Sequence, residues 1–488
     1  MVTQSMTLPA SLHVPPALAE QLFSHLFPGD GDEHGAVIGA TVVETQRGTR
    51  FLARRLYLAK DGVDYVPGKR GYRMLTAAFI RDRIKDCERE GLAYFAVHCH
   101  GGTDHVDFSR DDLASHERGY PALLDNLEHH PVGGLVFARN AAAGDIWLQD
   151  GRRIELDTTV FHGGHRRVLQ SAPAPRPAAD PTYDRQSRLF GDRGQAVLAD
   201  QKVGIIGVGG AGSLINEYLA RLGVGHLVVV DPDRVEISNV PRVVGSRRRD
   251  ALPWLTKSGR PRLLRRLGQR LATPKVDIAR RVARQANPDI KFDAIRSDVT
   301  LDTVAASLTD CDYVFLAADS MQARLVVNAL VHQYLIPAVQ VGAKVQLDQT
   351  GSVTEVFSVV RPLTPGVSCL WCNELIKPNK LQEEALTPEQ RRQQRYVDDV
   401  DVHAPSVITL NAVAAAHAVD NYLMSTVSLV PEGYVERWMR FHPTAPEVRD
   451  RAIYEVPRSD QNCSECGTGG RLGAGASRRL PTRITSTS

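Results

Sequence analysis

The sequence predicts an α/β protein whose C-terminal part is a Rossmann-like, doubly wound parallel sheet. Two observations carry this prediction. First, short apolar stretches alternate with helical stretches, and the candidate strands cover 202–206, 227–230, 290–295, 313–317 and 338–341. Such alternation is typical of parallel strands joined by crossover helices. Second, a glycine-rich turn follows the first of these strands and opens a helix, as it does in nucleotide-binding folds.

Composition divides the 488 residues into four parts. A length of about 100–200 residues per domain suggests two to four domains. Residues 171–182 are rich in proline and alanine and predict a linker between a domain at 1–170 and one at 183–466. Residues 467–488 are rich in Gly, Ser, Thr and Arg, which predicts a disordered tail.

The charge balance argues against partners that bind by bulk electrostatics. With 59 Lys and Arg against 56 Asp and Glu, the net charge is only +3. We therefore expect no membrane partner and no clear nucleic-acid partner. No apolar run approaches the ~20 residues of a membrane span, and the first residues lack the pattern of a signal peptide. These features predict a cytoplasmic protein.

The first domain mixes strand and helix signals, which also predicts an α/β fold. An apolar strand follows Glu33, and residues 74–90 have the periodicity of an amphipathic helix. Residues 93–98, 135–138 and 145–148 are further candidate strands.

Four of the seven cysteines form two pairs with metal-ligand spacing, Cys369-Leu-Trp-Cys372 and Cys463-Ser-Glu-Cys466. In a reducing compartment, two CxxC pairs indicate a tetrahedral structural zinc site. Redox activity is the alternative, but a redox CxxC usually occurs as a single pair.

His98 and His100 close an apolar strand and share one side of it, so both imidazoles can bind one metal ion. A downstream carboxylate would complete three protein ligands, the open arrangement of a catalytic zinc. Glu33, before the preceding strand, could take the proton of a bound water. The alternative is a pair of partly buried structural histidines.

The Glu, the HxH and a following SxxD resemble the JAMM/JAB metalloprotease family, over roughly residues 20–150. The resemblance implies that His98, His100 and Asp112 bind zinc. It also implies that Glu33 is the general base and that Ser109 stabilises the oxyanion. Eight residues separate His100 from Ser109 where the family has seven, which leaves Asp111 as an alternative ligand.

The second domain carries the sequence Gly207-Val-Gly209-Gly-Ala-Gly212 between a strand and a helix. Glycines there permit a tight turn and close approach of phosphate to the helix N-terminus. Asp231 ends the next strand and can bind a ribose hydroxyl. Alone, these features describe an NAD-dependent dehydrogenase equally well.

The surrounding motifs resemble the ThiF/MoeB and ubiquitin-activating superfamily, over about residues 183–466. They occur in order around Arg185, the glycine turn, Asn239, Lys275 and Asp319, and the cysteine pairs close the set. This family adenylates the C-terminal carboxylate of a ubiquitin-like protein with ATP.

The resemblance implies a role for each motif residue. Arg242 and Lys275 would contact phosphates, and Asp319 would organise Mg²⁺. Asn239 would line the same pocket. Arg185 would reach the ATP of the neighbouring subunit in a homodimer. Arg324 and Asn328 would hold the loop of Asp319.

Two features depart from the simplest family members. Residues 242–275 carry eleven Arg and Lys against one acidic residue, Asp250, and could recruit an acidic partner or form a solvated loop. Residues 373–403, where ubiquitin-activating relatives place a catalytic cysteine, contain none. This predicts that no thioester forms on the chain.

Together, the sequence predicts a bifunctional enzyme. One domain would adenylate a ubiquitin-like protein, and the other would hydrolyse peptide or isopeptide bonds after its C-terminus. A conjugating enzyme is a further expected partner. Two alternatives are a sulfur-carrier activator for cofactor or amino-acid biosynthesis, and an N-terminal domain that only docks the partner.

Overall fold

The computed structural model describes residues 8–484, apart from 69–72, 174–179, 349, 351, 387–404 and 432. It divides into two compact units. Unit 1 contains the chain up to residue 176, with residues 332–335 and 461–478. Unit 2 contains residues 177–331, 336–460 and the chain after 478. Half of the predicted linker, residues 174–179, lies outside the described residues.

Unit 1 is built on a mixed nine-stranded sheet in the order β7-β6-β5-β4-β2-β3-β1-β8-β9. Its helices α1–α3 are Pro16–Leu26, Ala77–Glu90 and Arg110–Leu124. Its strands β1–β9 are, in chain order, Ala10–Val14, Gly35–Thr45, Gly48–Leu58, Ala93–Cys99, Val132–Phe137, Ala142–Trp147, Arg153–Glu155, Thr158–Phe161 and Arg167–Leu169.

Two hydrophobic clusters stabilise the central strands of unit 1. One contains Phe51, Phe95 and Phe137, and the other contains Tyr94 and Leu92, all fully buried. Because successive side chains of a strand point to opposite faces, Tyr94 and Phe95 of β4 serve one cluster each. Burial on both faces explains the near-continuous apolar sequence of this strand. The predicted strand and the helix before it are confirmed within three residues at each end.

The prediction of a disordered tail from residue 467 is wrong for residues 467–484, which the structure describes. Leu472 and Ala474 are buried within unit 1. The Gln333 side-chain amide donates a 2.7 Å hydrogen bond to the Gly475 carbonyl. Arg471 forms an ion pair of 2.9 Å with Glu465. A few buried contacts and satisfied polar groups therefore order a segment whose composition favours disorder.

Unit 2 is built on an eight-stranded sheet in the order β12-β11-β10-β13-β14-β15-β16-β17. The first five strands of this order are parallel, and the last three are added antiparallel. Strands β10–β17 are Lys202–Ile206, His226–Val230, Lys291–Ile295, Tyr313–Leu316, Ala338–Leu347, Val353–Leu363, Trp438–Phe441 and Ala452–Glu455.

Helices α4–α12 are Asp184–Asp200, Gly210–Arg221, Pro253–Thr256, Arg262–Leu271, Lys275–Ala286, Asp302–Ala306, Met321–Gln333, Pro378–Ala385 and Ile408–Thr426. Helices α5, α8 and α12 pack on the sheet and bury its apolar strands. This arrangement confirms the predicted Rossmann-like fold. Among the described residues, no helix is both long and apolar enough to cross a membrane.

Candidate nucleotide-binding site and metal-binding clusters

The glycine-rich turn lies between β10 and α5, at the carboxyl end of the parallel sheet. Gly207 has φ +87°, a conformation that L side chains rarely adopt. A Cβ on Gly212 would lie 1.8 Å from the Gly207 carbonyl oxygen, whereas a Cβ on Gly209 would meet no heavy atom within 4 Å. Gly212 therefore closes the turn, and Gly209 leaves open space at the helix N-terminus.

These two glycines give a matched pair of tests. We expect Gly212→Ala to lower the free energy of unfolding by about 1–3 kcal/mol, because the added methyl group overpacks the turn. Gly209→Ala should change stability by less than about 0.5 kcal/mol. It should still weaken ATP binding, because its methyl group occupies the space through which a phosphate approaches. Chemical denaturation and ATP titration measure both effects; equal destabilisation by the two variants would contradict this assignment.

Asp231 follows β11 directly and is buried beside the glycine turn. Its carboxylate accepts hydrogen bonds of 2.8 Å from the Val208 and Asp233 backbone N–H groups. Burial raises the pKa of Asp231, and nearby Lys275 opposes that shift. Each carboxylate oxygen accepts more than one hydrogen bond, so the group that orders the turn can also receive a ribose hydroxyl.

The predicted phosphate-binding cations differ in their surroundings. Lys275 is the first residue of α8, and its Nζ lies 2.7 Å from the Asp233 carboxylate. The half-buried Arg242 donates a 3.0 Å hydrogen bond from its guanidinium to the Ser238 carbonyl. Buried Asn239 accepts a hydrogen bond from the Glu236 N–H. Arg185 is exposed near the start of α4.

Asp319 is exposed between β13 and α10. Burial lowers the pKa of Arg324, while the charges of Asp319 and Glu384 oppose that shift. Arg324 donates to the Leu375 carbonyl at 2.9 Å, and the Asn328 side chain accepts from the Leu370 N–H at 2.9 Å. Arg324 and Asn328 therefore contact the segment around the first CxxC pair. The sequence had predicted only that they hold the loop of Asp319.

Glu384 of α11 is a contact that sequence reasoning missed. Its carboxylate accepts hydrogen bonds of 2.9 and 3.0 Å from the Met321 and Gln322 N–H groups. A carboxylate satisfies unpaired donors at a helix N-terminus, so Glu384 caps α10. The partner is 62 residues distant in sequence, so no local signal identifies it.

In unit 1, the sheet and one helix bring together the HxH histidines and a carboxylate. The antiparallel register pairs Gly35 of β2 with His98 of β4, which carries Glu33 toward His100. The Nε2 atoms of His98 and His100 lie 3.1 Å apart. Asp112 oxygens lie 3.5 and 3.4 Å from these two nitrogens, and a Glu33 oxygen lies 4.0 Å from His100.

The SxxD spacing forms a capping box at the start of α3. The Ser109 hydroxyl accepts a hydrogen bond from the Asp112 N–H, and Asp112 accepts one from the Ser109 N–H. The Ser109 hydroxyl also donates to the Asp112 carboxylate at 2.7 Å. This geometry turns Asp112 toward the histidines, whereas Asp111 is exposed.

Electrostatics in this cluster favour an ionised Asp112. Burial opposes ionisation, but hydrogen bonds from His100, His98 and Ser109 hold the pKa of Asp112 below its usual range. The hydrogen bond to Asp112 raises the pKa of His100. Burial raises the pKa of Glu33, which suits a group that accepts a proton near neutral pH.

One predicted metal-ligand set is a cluster of donor atoms within unit 1. His98, His100 and Asp112 each offer one ligand atom within 4.8 Å of the others. Two imidazoles with a carboxylate suit an open zinc site. Cys369 and Cys372 belong to unit 2 and Cys463 and Cys466 to unit 1, so the four-cysteine zinc site stays a prediction from the sequence.

A buried polar network that the sequence did not reveal supports α3. Asp145 of β6 accepts hydrogen bonds from the His116 ring at 3.2 Å and from the Trp147 indole at 3.0 Å. Arg153 approaches the same carboxylate at 2.8 Å. Because His116 belongs to α3, this network fixes the helix that carries Asp112. An aspartate within an apolar strand is the signal that could have identified it.

The fold and the glycine turn define the class of the second unit. A strand–turn–helix with a buried aspartate after the next strand is the nucleotide-binding arrangement of Rossmann-like proteins. The ThiF family model matches residues 183–464, which is more than half of the chain. The chain therefore belongs to the ThiF family.

Known relatives are similar in part of their length. The chain is 32% identical over 161 residues to the SAMP-activating enzyme E1 of Haloferax volcanii, covering 32% of this chain and 52% of that protein. It is 30% identical over 190 residues to the sulfur carrier protein ThiS adenylyltransferase of Bacillus subtilis, covering 38% and 49%. The chain thus spans about half the length of these curated relatives.

Among solved structures, the chain resembles E. coli MccB crystallised with ATP. The two are 18% identical with a TM-score of 0.41, and the match covers 59% of this chain and 75% of that one.

Proposed function

We propose that unit 2 adenylates the C-terminal carboxylate of a ubiquitin-like protein with ATP. The observation that carries this proposal is the glycine turn with buried Asp231 beside it, in a chain of the ThiF family. The names of its relatives, an activating enzyme and a carrier-protein adenylyltransferase, support it.

In the proposed reaction, the partner carboxylate attacks the α-phosphorus and pyrophosphate leaves. Asp231 binds the ribose, while Asn239, Arg242 and Lys275 line the phosphate pocket. Lys275 is held by Asp233 at 2.7 Å, which positions its ammonium group before ATP arrives. Cations there stabilise the charge that develops during transfer. Mg²⁺ organised by Asp319 would neutralise phosphate charge when bound.

The proposed acyl-adenylate passes directly to a partner. Residues 373–403 contain no cysteine, and Cys87, Cys99 and Cys311 are buried. Burial also raises the pKa of Cys87 to about 12, which removes its nucleophilic thiolate. A conjugating enzyme or a sulfur source is therefore the proposed acceptor.

We further propose a hydrolytic site in unit 1, carried by the cluster of His98, His100 and Asp112. The donor set fits zinc, because two imidazoles and one carboxylate leave a fourth position for water. Zinc bound there would lower the pKa of that water. Glu33, 4.0 Å from His100, would receive the proton, and Ser109 would stabilise the oxyanion. The substrate would be a bond after the C-terminus of the ubiquitin-like protein.

A second candidate function is activation of a sulfur carrier, with unit 1 processing that carrier. The similarity to a ThiS adenylyltransferase and the missing loop cysteine favour it. The two functions share the adenylate and differ in the acceptor. Incubating the adenylated partner with a conjugating enzyme or with a sulfurtransferase distinguishes them: a thioester indicates conjugation, and a thiocarboxylate indicates sulfur transfer.

The proposed homodimer predicts complementation between two inactive variants. Arg185 is exposed near the start of α4 and is proposed to serve the ATP site of the neighbouring subunit. An equal mixture of Arg185→Ala and Asp319→Ala chains should recover about a quarter of wild-type exchange. Half of the dimers are then mixed, and each mixed dimer has one intact site of two. Each variant alone is the control. No recovery after subunit exchange, or activity in a strict monomer, would contradict the shared site.

ATP–pyrophosphate exchange tests the adenylation proposal. Exchange should require a ubiquitin-like partner, such as one encoded beside the gene, and should be absent with ATP alone. Failure with every such candidate would count against the proposal.

A further inference from the structure

The insertion between the glycine turn and α8, residues 242–275, carries a strong excess of positive charge. It contains eleven Arg and Lys and one acidic residue, whereas the remaining chain has 48 Lys and Arg against 55 Asp and Glu. The acidic residue, Asp250, is buried and forms a 2.8 Å ion pair with Arg281. The described surface of residues 242–275 therefore presents positive charge without an exposed carboxylate.

The same insertion exposes a row of large apolar side chains. Leu263, Leu267 and Leu271 of α7 recur every four residues and are 80%, 47% and 59% exposed. At 100° per residue they share one side of the helix. Trp254 of the neighbouring helix α6 is 62% exposed. Four large apolar side chains on so short a segment are uncommon on a surface that contacts only water.

Helix α7 packs on helix α6 through Gly268, which lies about 100° around the helix from the middle of the leucine row. A Cβ on Gly268 would lie 2.7 Å from the Leu255 Cβ and 2.9 Å from the Thr256 Cγ2, so α7 packs closely on α6 through this glycine. The Arg260 side chain donates to the Trp254 carbonyl at 3.1 Å and fastens the connecting loop. The leucines are thus presented outward by a packed helix.

The arginines of α7 flank the apolar row. On the helical projection, Arg266 and Arg270 lie next to Leu263 on the side away from Gly268, and both are exposed. A helix with Leu on one face and Arg beside it binds in the plane of a membrane interface, with its apolar face among the acyl chains and its cations at the headgroups.

We infer that the α6–α7 segment docks unit 2 on an anionic phospholipid surface. The net charge of the whole chain predicted no membrane partner, because it averages out the local excess of Arg and Lys in residues 242–275. Nucleic acid would satisfy the arginines but would leave the leucines without an apolar environment. A protein partner would need an apolar groove ringed by carboxylates. A bilayer supplies both chemistries and needs no particular arrangement of charge, which suits arginines spread over three turns and their flanking loops. This surface goes beyond the proposed adenylation and does not depend on it.

Flotation of the full-length protein with vesicles tests this inference. The protein should bind phosphatidylcholine vesicles that contain phosphatidylglycerol, and binding should weaken at high salt as the charges are screened. Binding to pure phosphatidylcholine should be much weaker. The emission of Trp254 should shift to shorter wavelength with anionic vesicles, and Trp254→Phe should remove that shift.

Matched variants separate the apolar and ionic contributions. The double variant Leu263→Gln, Leu267→Gln should weaken vesicle binding at least about tenfold. Arg266→Gln and Arg270→Gln should each weaken it about fivefold. Val448→Gln and Arg449→Gln, at exposed sites outside the insertion, are the controls and should bind as the parent does. Thermal unfolding checks that all variants are folded.

Several outcomes would overturn the inference. Equal binding to neutral and anionic vesicles would overturn it. Vesicle binding that is unchanged in the α7 variants would overturn it as well. Absence of vesicle binding would overturn it too, and α7-dependent capture by single-stranded RNA or polyglutamate would then identify a nucleic-acid or acidic-protein surface.

Discussion

Replacing Asp319 with alanine is expected to reduce partner-dependent pyrophosphate exchange by at least about 10²-fold, the scale of a lost charge-stabilising contact in a preorganised site. Asp319 follows the central strand β13. It therefore lies at the carboxyl ends of the parallel strands, where the glycine turn and Asp231 also lie. Its exposed carboxylate is free of packing constraints, so the variant should fold as the parent does. Exchange rates at saturating ATP and partner measure the effect.

Asp289→Ala is the matched control for this prediction. Asp289 is also an exposed aspartate of unit 2, but it precedes β12 and carries no proposed catalytic role. It should retain full exchange and the same unfolding temperature. If the Asp319→Ala protein exchanged pyrophosphate as fast as this control, the proposed magnesium site would be wrong.

The second large effect concerns hydrolysis in unit 1. Glu33→Gln should keep zinc and lose about 10²–10⁴-fold in cleavage of a fusion at the partner's C-terminus, because it removes the proposed base and no ligand. His98→Ala should lose both zinc and cleavage. Metal analysis of the purified protein should find about two zinc ions per parent chain and one in His98→Ala.

Two adjacent aspartates give this prediction its control. Asp112→Asn should lose the unit 1 zinc, whereas Asp111→Asn should keep both zinc and cleavage, because Asp112 approaches both histidines and Asp111 is exposed. A Glu33→Gln protein without that zinc would make Glu33 a ligand and contradict the assignment. An Asp111→Asn protein without it would contradict the ligand set.

The parallel part of unit 2 was predictable from the sequence for a simple reason. Its strands are short, apolar and buried, and the structure places β10 at the predicted Lys202–Ile206. The glycines of the following turn are required by backbone geometry, which leaves few other residue choices at Gly207 and Gly212. The local sequence was therefore enough to predict these strands and the turn.

The antiparallel extension of the sheet was not predicted. Strands β15 and β17 contain many exposed or half-buried residues, so their sequences lack a continuous apolar run. Among the described strands, β17 lies at the sheet edge and pairs with β16 alone. Order in residues 467–484 was missed for a related reason, since it depends on distant contacts such as Gln333 with Gly475.

The residues of the candidate sites also fall into those that the sequence predicted and those that only the structure revealed. The ligand sets could be proposed from spacing, because HxH lies on one strand and SxxD forms a local capping box. The groups that support them, such as Asp145 beneath α3 and Glu384 at α10, are distant in sequence from their partners. Long-range polar contacts leave no periodic signal, so the structure was needed to find them.

The most direct measurement of the central claim is pyrophosphate exchange with one partner in two chemical forms. A ubiquitin-like partner with a free C-terminal carboxylate should support exchange and should yield an acyl-adenylate detectable by mass spectrometry. The same partner ending in a carboxamide should support neither, because the amide cannot attack the α-phosphorus. Equal exchange with both forms, or no exchange with the free carboxylate, would contradict adenylation of the partner by this chain.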